Sequence, residues 1–118
     1  MYKRHIIGRE GEEVVTDYIL KNNYKIIERN FECREGEIDI IAKDEEEIVF
    51  IEVKTRTNLE YGLPSEAVNK IKQNHMKRVI RYYLYKNKLE NSFIRIDVIE
   101  VRIIRGKYYI NHIKKAIY

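Results

Sequence analysis

The chain has 118 residues, 44% hydrophobic and 36% charged, which excludes a disordered chain and is typical of a soluble globular protein of one domain, residues 1–118. Its net charge of +4 is only a weak indication of a polyanionic partner. Because the single Cys33 excludes an internal disulfide and no membrane span or signal-peptide core is present, we expect a cytoplasmic protein that does not contact membranes.

The first predicted element is an amphipathic helix over residues 8–22, with Val15 and Ile19 on its apolar face. Glu12 lies one turn before Val15, so we expect its carboxylate on the same face of the first turn. One interpretation is a favourable interaction with the helix N-terminus, worth about 0.3 to 1 kcal/mol. The other is that Glu12 is an acidic group near a metal site.

A first strand over residues 24–31 is followed by a predicted β-hairpin. Two apolar, β-branched runs, residues 38–42 and 48–53, flank a polar tip at residues 43–47. With residues 44–47 as the turn, the register pairs Lys43 with Ile48, Ile41 with Phe50, Asp39 with Glu52 and Glu37 with Lys54.

The two faces of this hairpin differ in polarity, because strand side chains alternate. One end of one face carries Glu37, Asp39, Glu52 and Lys54. The opposite face is apolar, with Ile38, Ile40, Ala42, Val49, Ile51 and Val53. Carboxylates placed opposite each other destabilise a sheet by about 0.2 to 1 kcal/mol, whereas a divalent cation such as Mg²⁺ requires them. A solvated hairpin with mixed charges is the alternative interpretation.

Charge is unevenly distributed along the chain. Residues 32–52 contain nine Asp or Glu, whereas residues 70–88 contain seven Lys or Arg and no acid, and residues 102–115 are again basic. An acidic centre with basic flanks is expected where metal ions lie between a protein and a phosphate backbone. The alternative is that the lysines serve solubility.

The second half of the chain is predicted as a loop, a helix and two strands. The polar residues 57–65 form the loop, and Ser65 or Asn69 caps a helix that ends near Lys86. We expect Lys70, on the loop side of this helix, to contact phosphate. The predicted core stripe of the helix is Ile71, Val79, Ile80, Tyr83 and Leu84.

Residues 93–101 and 107–113 are the last two predicted strands. The helix connects the second hairpin strand to residues 93–101, and such a crossover joins parallel strands. The sequence therefore predicts an α/β fold with a central mixed sheet and the element order α-β-β-β-α-β-β.

The spacing of Asp39, twelve residues, and Glu52-Val53-Lys54 resembles the motif of the PD-(D/E)xK nuclease superfamily, with Ile38 where proline is frequent. The chain is also similar to the YraN-like family of uncharacterised predicted endonucleases and to archaeal Holliday-junction resolvases. The residues that carry this resemblance are 8–12, 29–31, 36–39, 50–56, 62–64, Lys70 and 95–98.

The resemblance implies a three-layer αβα, restriction-endonuclease-like fold and a role for each matching residue. Asp39, Glu52 and the backbone carbonyl of Val53 would ligate Mg²⁺ or Mn²⁺. Lys54 would orient the attacking water and stabilise charge on the phosphorane, and Glu12 would match the helix-borne acid of the resolvases. The nucleic-acid contacts would be Arg56, Lys70 and Glu37.

The function predicted on this basis is metal-dependent hydrolysis of phosphodiester bonds in DNA, with branched or Holliday-junction-like DNA as a candidate substrate. A homodimer is suggested by analogy with resolvases, which need two active sites for a two-fold junction. The main alternative is a nucleic-acid-binding module that has the fold but does not cleave, acting in a DNA repair or uptake complex. A third possibility is that the charged residues form a structural ion-pair network that does not bind metal.

Overall fold

A five-stranded mixed sheet with one helix on each face forms the fold. The computed structural model describes residues 2–57 and 69–117, and side chains from residue 7 onwards. The elements are α1 (Tyr2–Lys21), β1 (Lys25–Cys33), β2 (Gly36–Asp44), β3 (Glu47–Thr57), α2 (Lys70–Lys86), β4 (Phe93–Ile104) and β5 (Lys107–Ile117). The predicted element order is thereby confirmed.

The sheet separates two apolar cores, so the architecture has three layers. On one face, Val15 and Ile19 of α1 pack against a cluster that includes Ile51 and Ile99. On the other face, α2 covers a cluster centred on Phe50. Most residues of β3 and β4 are buried because these two strands lie inside the sheet, between the two helices.

Strands β3 and β4 run parallel, as the crossover through α2 predicts, and every other neighbouring pair is antiparallel. The strands lie in sequence order, β1-β2-β3-β4-β5. Asn69 caps α2, since its side chain accepts a hydrogen bond from the N–H of Lys72 at 2.9 Å. Ser65 and all but the first residue of the predicted 57–65 loop lie outside the described residues.

The two helices correct two details of the prediction. Helix α1 begins six residues earlier than expected, at Tyr2, and therefore runs through Gly8 and Gly11. In α2, Ile71 was predicted in the core stripe but is 71% exposed, and Met76 is buried instead. The stripe that faces the sheet thus runs from Met76 to Leu84 and leaves Ile71 on the outer side.

Gly11 allows α1 to approach β3 closely. A Cβ atom at this position would lie 1.9 Å from Oγ1 of Thr55 and 3.0 Å from its Cβ, whereas a Cβ at Gly8 would meet nothing within 4 Å. Glycine costs a helix interior about 1 kcal/mol relative to alanine. Glycine is needed at position 11 despite this cost, because the Cβ of any other residue would clash with the side chain of Thr55.

We therefore expect opposite effects from two alanine substitutions in the same helix. Gly11→Ala should lower the free energy of unfolding by about 1 to 2 kcal/mol, because overpacking outweighs the gain in helix propensity. Gly8→Ala is the matched control and should raise it by about 0.5 to 1 kcal/mol. Urea denaturation of both variants measures the difference, and equal effects would show that the contact with Thr55 is unimportant.

The register of the hairpin is confirmed near the tip and ends before the acidic residues. Pairs run from Lys43 with Ile48 to Ile40 with Ile51 in the predicted register. Asp44 also pairs with Glu47, so the turn has two residues instead of the four that were predicted. The predicted pairs Asp39 with Glu52 and Glu37 with Lys54 do not continue this ladder. Strands β2 and β3 therefore diverge at the end that carries the acids.

The predicted facing of Ile38 is wrong. Ile38 packs in the cluster under α2, whereas Ile40 packs under α1. The change of face lies beside Asn30 of β1, which has a left-handed backbone with φ 53°. The pair of Asn30 with Asp39 is missing from the β1–β2 ladder, although Arg29 with Ile40 and Phe31 with Ile38 keep the same register on either side. Strict alternation therefore does not hold between Ile38 and Ile40.

Within the described residues, no helix has the length and hydrophobicity needed to cross a membrane.

Candidate active site

The divergence of β2 and β3 opens the sheet at the position of Asp39. Beyond Ile51 the backbone of β3 no longer pairs with β2, and the N–H of Val53 donates a 2.8 Å hydrogen bond to Oδ2 of Asp39 instead. Because the N–H and C=O of a strand residue point to the same side, the carbonyl of Val53 is also directed towards β2. One carboxylate and one carbonyl therefore lie between the two strands.

Asp39 and Glu52 line the same pocket, of about 220 Å³, between these strands and α2. The side chain of Glu52 is 9% exposed. The remaining lining residues are Glu35, Gly36, Glu37, Lys72, His75 and Val79. The prediction that the two carboxylates meet on one face is thus met by a shared pocket, although not by a cross-strand pair.

The electrostatics of this pocket are unfavourable for two carboxylates. The pKa of Asp39 is raised to about 8, first by burial and then by the nearby charges of Glu52 and Glu12, against the opposing effects of the Val53 N–H and Lys72. Burial therefore favours the neutral form of Asp39 in the absence of an additional cation. The pocket supplies one ammonium for two carboxylates, and a further cation would favour the ionised form of both.

Lys72 is a pocket residue that the sequence did not reveal, since Lys70 was preferred on this helix. The ammonium of Lys72 donates to Oε1 of Glu52. Lys72 lies one turn before Met76 and two before Val79, so it continues the buried stripe of α2 towards the carboxylates. That spacing was the available signal, and the mistaken assignment of Ile71 to the stripe concealed it.

Glu12 lies beside this pocket, on the sheet-facing side of α1. It lines a second, wider groove of about 870 Å³, and Glu37 lines both the groove and the pocket. Burial raises the pKa of Glu12, with Arg29 opposing. Among the described residues, Oε1 of Glu12 is a buried atom that accepts no hydrogen bond, and Arg29 Nη2 lies 3.9 Å from it. The predicted placement of this carboxylate near Asp39 agrees with the structure.

Three other predicted site residues lie outside the pocket. Lys54 is half-buried on β3, beside Glu100 of β4 in the parallel register, and does not line the pocket. Arg56 is 8% exposed and donates a 2.8 Å hydrogen bond to Glu100. Lys70 is exposed at the start of α2, away from the pocket. The structure therefore brings together the acids but not the predicted basic residues.

The donor set of the pocket fits a hard divalent cation. Within the described residues, no three His, Cys, Asp or Glu side chains form a ready metal-binding group. Mg²⁺, however, commonly binds one or two carboxylates and keeps several waters or substrate phosphate oxygens. Asp39, Glu52 and the Val53 carbonyl suffice for that mode, and Oε1 of Glu12, which accepts no hydrogen bond, is a further acceptor.

The opposite face of the sheet contains a buried carboxylate in a quite different environment. Asp97 is 0% exposed and accepts hydrogen bonds from His112 Nε2 at 2.7 Å, Arg95 Nε at 3.1 Å and the N–H of Lys115 at 3.1 Å. Burial favours the neutral acid, but these donors outweigh it and hold the pKa of Asp97 below its usual value. Asp97 is a structural carboxylate that links β4 to β5.

The fold and pocket define a three-layer α/β protein whose paired carboxylates lie where two central strands diverge. The chain belongs to the family described as Uncharacterised protein family UPF0102, whose model matches residues 11–101. This confirms the predicted family resemblance, whereas membership of the nuclease superfamily stays a prediction.

Relatives of similar length support this assignment. A UPF0102 protein of Caldicellulosiruptor saccharolyticus is 48% identical over 86% of this chain and 85% of its own length. One of Clostridium botulinum strain 657 is 50% identical over 93% and 92%. One of Clostridioides difficile strain 630 is 47% identical over 92% and 94%. These matches extend over nearly the full chain on both sides.

Proposed function

We propose that this protein is a Mg²⁺- or Mn²⁺-dependent nuclease that hydrolyses phosphodiester bonds in DNA. The observation that carries the proposal is the pocket shared by Asp39 and Glu52. Glu52 is buried and Asp39 is partly buried, yet the pocket supplies one ammonium for the two carboxylates. A site with this charge balance is suited to a divalent cation.

The contrast with Asp97 supports a functional rather than a structural role for the pair. Where the fold buries a carboxylate for stability, it surrounds the group with an arginine, a histidine and a backbone N–H, and the pKa falls. Asp39 receives one backbone N–H and a neighbouring acid, and its pKa rises. Perturbation of this kind is concentrated at functional sites.

Each residue then has a chemical role in the proposed reaction. Asp39, Glu52 and the Val53 carbonyl would hold the cation, which would supply activation of water and neutralisation of charge on phosphate oxygens. Lys54, from the same strand, orients the water and stabilises charge on the phosphorane when substrate is present. Glu12 contributes a further carboxylate from α1.

A polyanionic substrate is supported by the charge around the pocket. The seven Lys or Arg residues among residues 70–88 belong to α2 and the residues that follow it, and the first turn of that helix borders the pocket through Lys72. Cations beside a bound divalent ion attract a phosphate backbone and make its binding salt-dependent. The proposed substrate is therefore DNA, with branched DNA as the first candidate.

One observation favours a second candidate function, a DNA-binding module that does not cleave. Lys54 lies outside the pocket, so the lysine expected to act on the attacking water is not assembled with the carboxylates. A protein that retained the fold for binding alone would not need that assembly. This second function predicts DNA binding that is indifferent to metal and yields no product.

The decisive experiment incubates the protein with Mn²⁺ or Mg²⁺ and a panel of duplex, flapped, single-stranded and four-way-junction DNA. Product on at least one substrate, which EDTA prevents, supports the nuclease. Binding to the same substrates without product in either metal supports the module. A protein that neither binds nor cleaves any of them would overturn both functions.

Lys54→Ala separates the roles of the lysine and the carboxylates. We expect cleavage to fall by about 100-fold or more, since an ammonium that acts on developing charge is lost. Affinity for Mn²⁺, measured by calorimetry, should change less than about threefold, because Lys54 does not line the pocket. Arg78→Ala, an exposed change on α2, controls for loss of general positive charge. A large loss of metal affinity in Lys54→Ala would contradict the proposed division of roles.

A further inference from the structure

The contact between Lys72 and Glu52 joins an exposed side chain to a buried one. Glu52 is fixed in β3, and its side chain is 9% exposed, whereas the side chain of Lys72 is 48% exposed. Lysine carries its charge on a flexible four-carbon chain, so the ammonium can leave the carboxylate without movement of the helix. The contact therefore has one fixed acid and one movable base.

Lys72 also covers Oε1 of Glu52, an oxygen that a metal ion in the pocket would need to reach. Among the described residues that line the pocket, it is the one Lys or Arg, and it bonds directly to a carboxylate oxygen. A single ammonium balances the charge of one of the two carboxylates. A divalent cation would supply twice the charge to the same oxygens.

We propose that Lys72 is the resting counter-ion of the carboxylate pair and that it competes with the divalent cation for Glu52. Binding of the cation displaces the ammonium from Oε1 of Glu52. The released Lys72 remains at the mouth of the pocket, where it can contact a phosphate oxygen. This inference rests on the proposed metal site and adds to it a residue that regulates metal entry.

Competition predicts that removal of the ammonium tightens metal binding. Calorimetric titration of Mn²⁺ at pH 8, without DNA, should show about tenfold higher affinity for Lys72→Met than for the unsubstituted protein, since a nearby positive charge is lost. Lys77→Met, on the same helix but outside the pocket, should change affinity less than twofold. An affinity for Lys72→Met that is equal or lower, or no binding by either protein, would overturn the proposal.

Thermal unfolding gives a second readout that does not depend on activity. Lys72→Met should have a lower Tm than the unsubstituted protein without metal, because Glu52 loses its partner, and a larger increase in Tm on addition of Mn²⁺. Lys72→Gln keeps a hydrogen-bond donor and serves if the methionine variant folds poorly. Equal Mn²⁺-induced increases in Tm for all three proteins would contradict competition.

The outcomes separate this inference from the nuclease proposal. If Lys72→Met binds Mn²⁺ more tightly but the unsubstituted protein cleaves no DNA, the role of Lys72 as counter-ion is supported and the nuclease proposal is contradicted. If the unsubstituted protein cleaves DNA with metal but Lys72→Met has an unchanged affinity for Mn²⁺, the nuclease proposal is supported and the role of Lys72 as counter-ion is contradicted.

Discussion

Asp39→Asn is expected to lower metal-dependent cleavage of DNA by about 10³-fold or more, while the metal-free protein becomes more stable. The first effect follows because an amide is a poor substitute for a carboxylate ligand. The second follows because the substitution removes a negative charge beside Glu52 and retains an oxygen to accept the Val53 N–H. We expect the free energy of unfolding at pH 8 to rise by about 1 to 3 kcal/mol.

The gain in stability from Asp39→Asn should depend on pH. The pKa of Asp39 is raised to about 8 in the folded protein, from an ordinary value near 4, so the folded state binds the proton more tightly between these values. Stability of the unsubstituted protein then falls as pH rises through this range. The difference between variant and unsubstituted protein should be small at pH 5 and largest above pH 8 in urea denaturation with EDTA.

Asp17→Asn, an exposed change on α1, is the control and should alter neither activity nor stability by a measurable amount. Loss of stability in Asp39→Asn with an unchanged response to metal would identify Asp39 as a structural residue. It would remove the basis of the proposed metal site.

Asp97→Asn should have the opposite effect on stability, a loss of about 3 to 5 kcal/mol at pH 7. Its carboxylate is fully buried and accepts from Arg95, His112 and the Lys115 N–H. An amide would leave Arg95 without its buried counter-charge and would place a donor against donors. Asp44→Asn is the matched control, because Asp44 pairs with the same arginine at 2.9 Å but is 24% exposed, and should cost less than about 1 kcal/mol.

The contribution of Asp97 should disappear in acid. Its pKa is lowered in the folded protein, so the stabilisation is complete above the unfolded value of about 4 and is lost as pH falls through the folded value. The difference in unfolding free energy between Asp97→Asn and the unsubstituted protein should therefore be constant near neutrality and shrink below about pH 4. A difference that grows in acid would show that another group controls it.

Much of the fold follows from local pattern. Two apolar runs with a polar turn at residues 44–47 were sufficient to predict the register of β2 and β3 from Lys43 with Ile48 to Ile40 with Ile51. The helical crossover was sufficient to predict the parallel pairing of β3 with β4. Alternation failed at Ile38, beside the left-handed residue Asn30 of the neighbouring strand. Left-handed residues other than glycine have no regular spacing along a chain, so the pattern of apolar residues did not indicate this position.

In the candidate site, too, the sequence predicted some residues and missed others. Sequence placed Asp39, Glu52 and Glu12 correctly near one another, because short-range spacing determines which face of a strand or helix a residue occupies. It did not distinguish Lys72 from Lys70 as the pocket lysine. That choice depends on the rotation of α2 about its axis, which packing of Met76 and Val79 against the sheet decides.

The sequence by itself determined the order of elements, the mixed sheet and the presence of two acids on adjacent strands. Only the tertiary structure decided that Asp39 and Glu52 share a buried pocket, that Lys72 compensates them and that Arg56 is bound to Glu100. The physical reason is that periodicity fixes the direction of a side chain within its own element. Burial and charge compensation depend on how distant elements pack together, because the partners are 20 residues apart for Glu52 and Lys72 and 44 for Arg56 and Glu100.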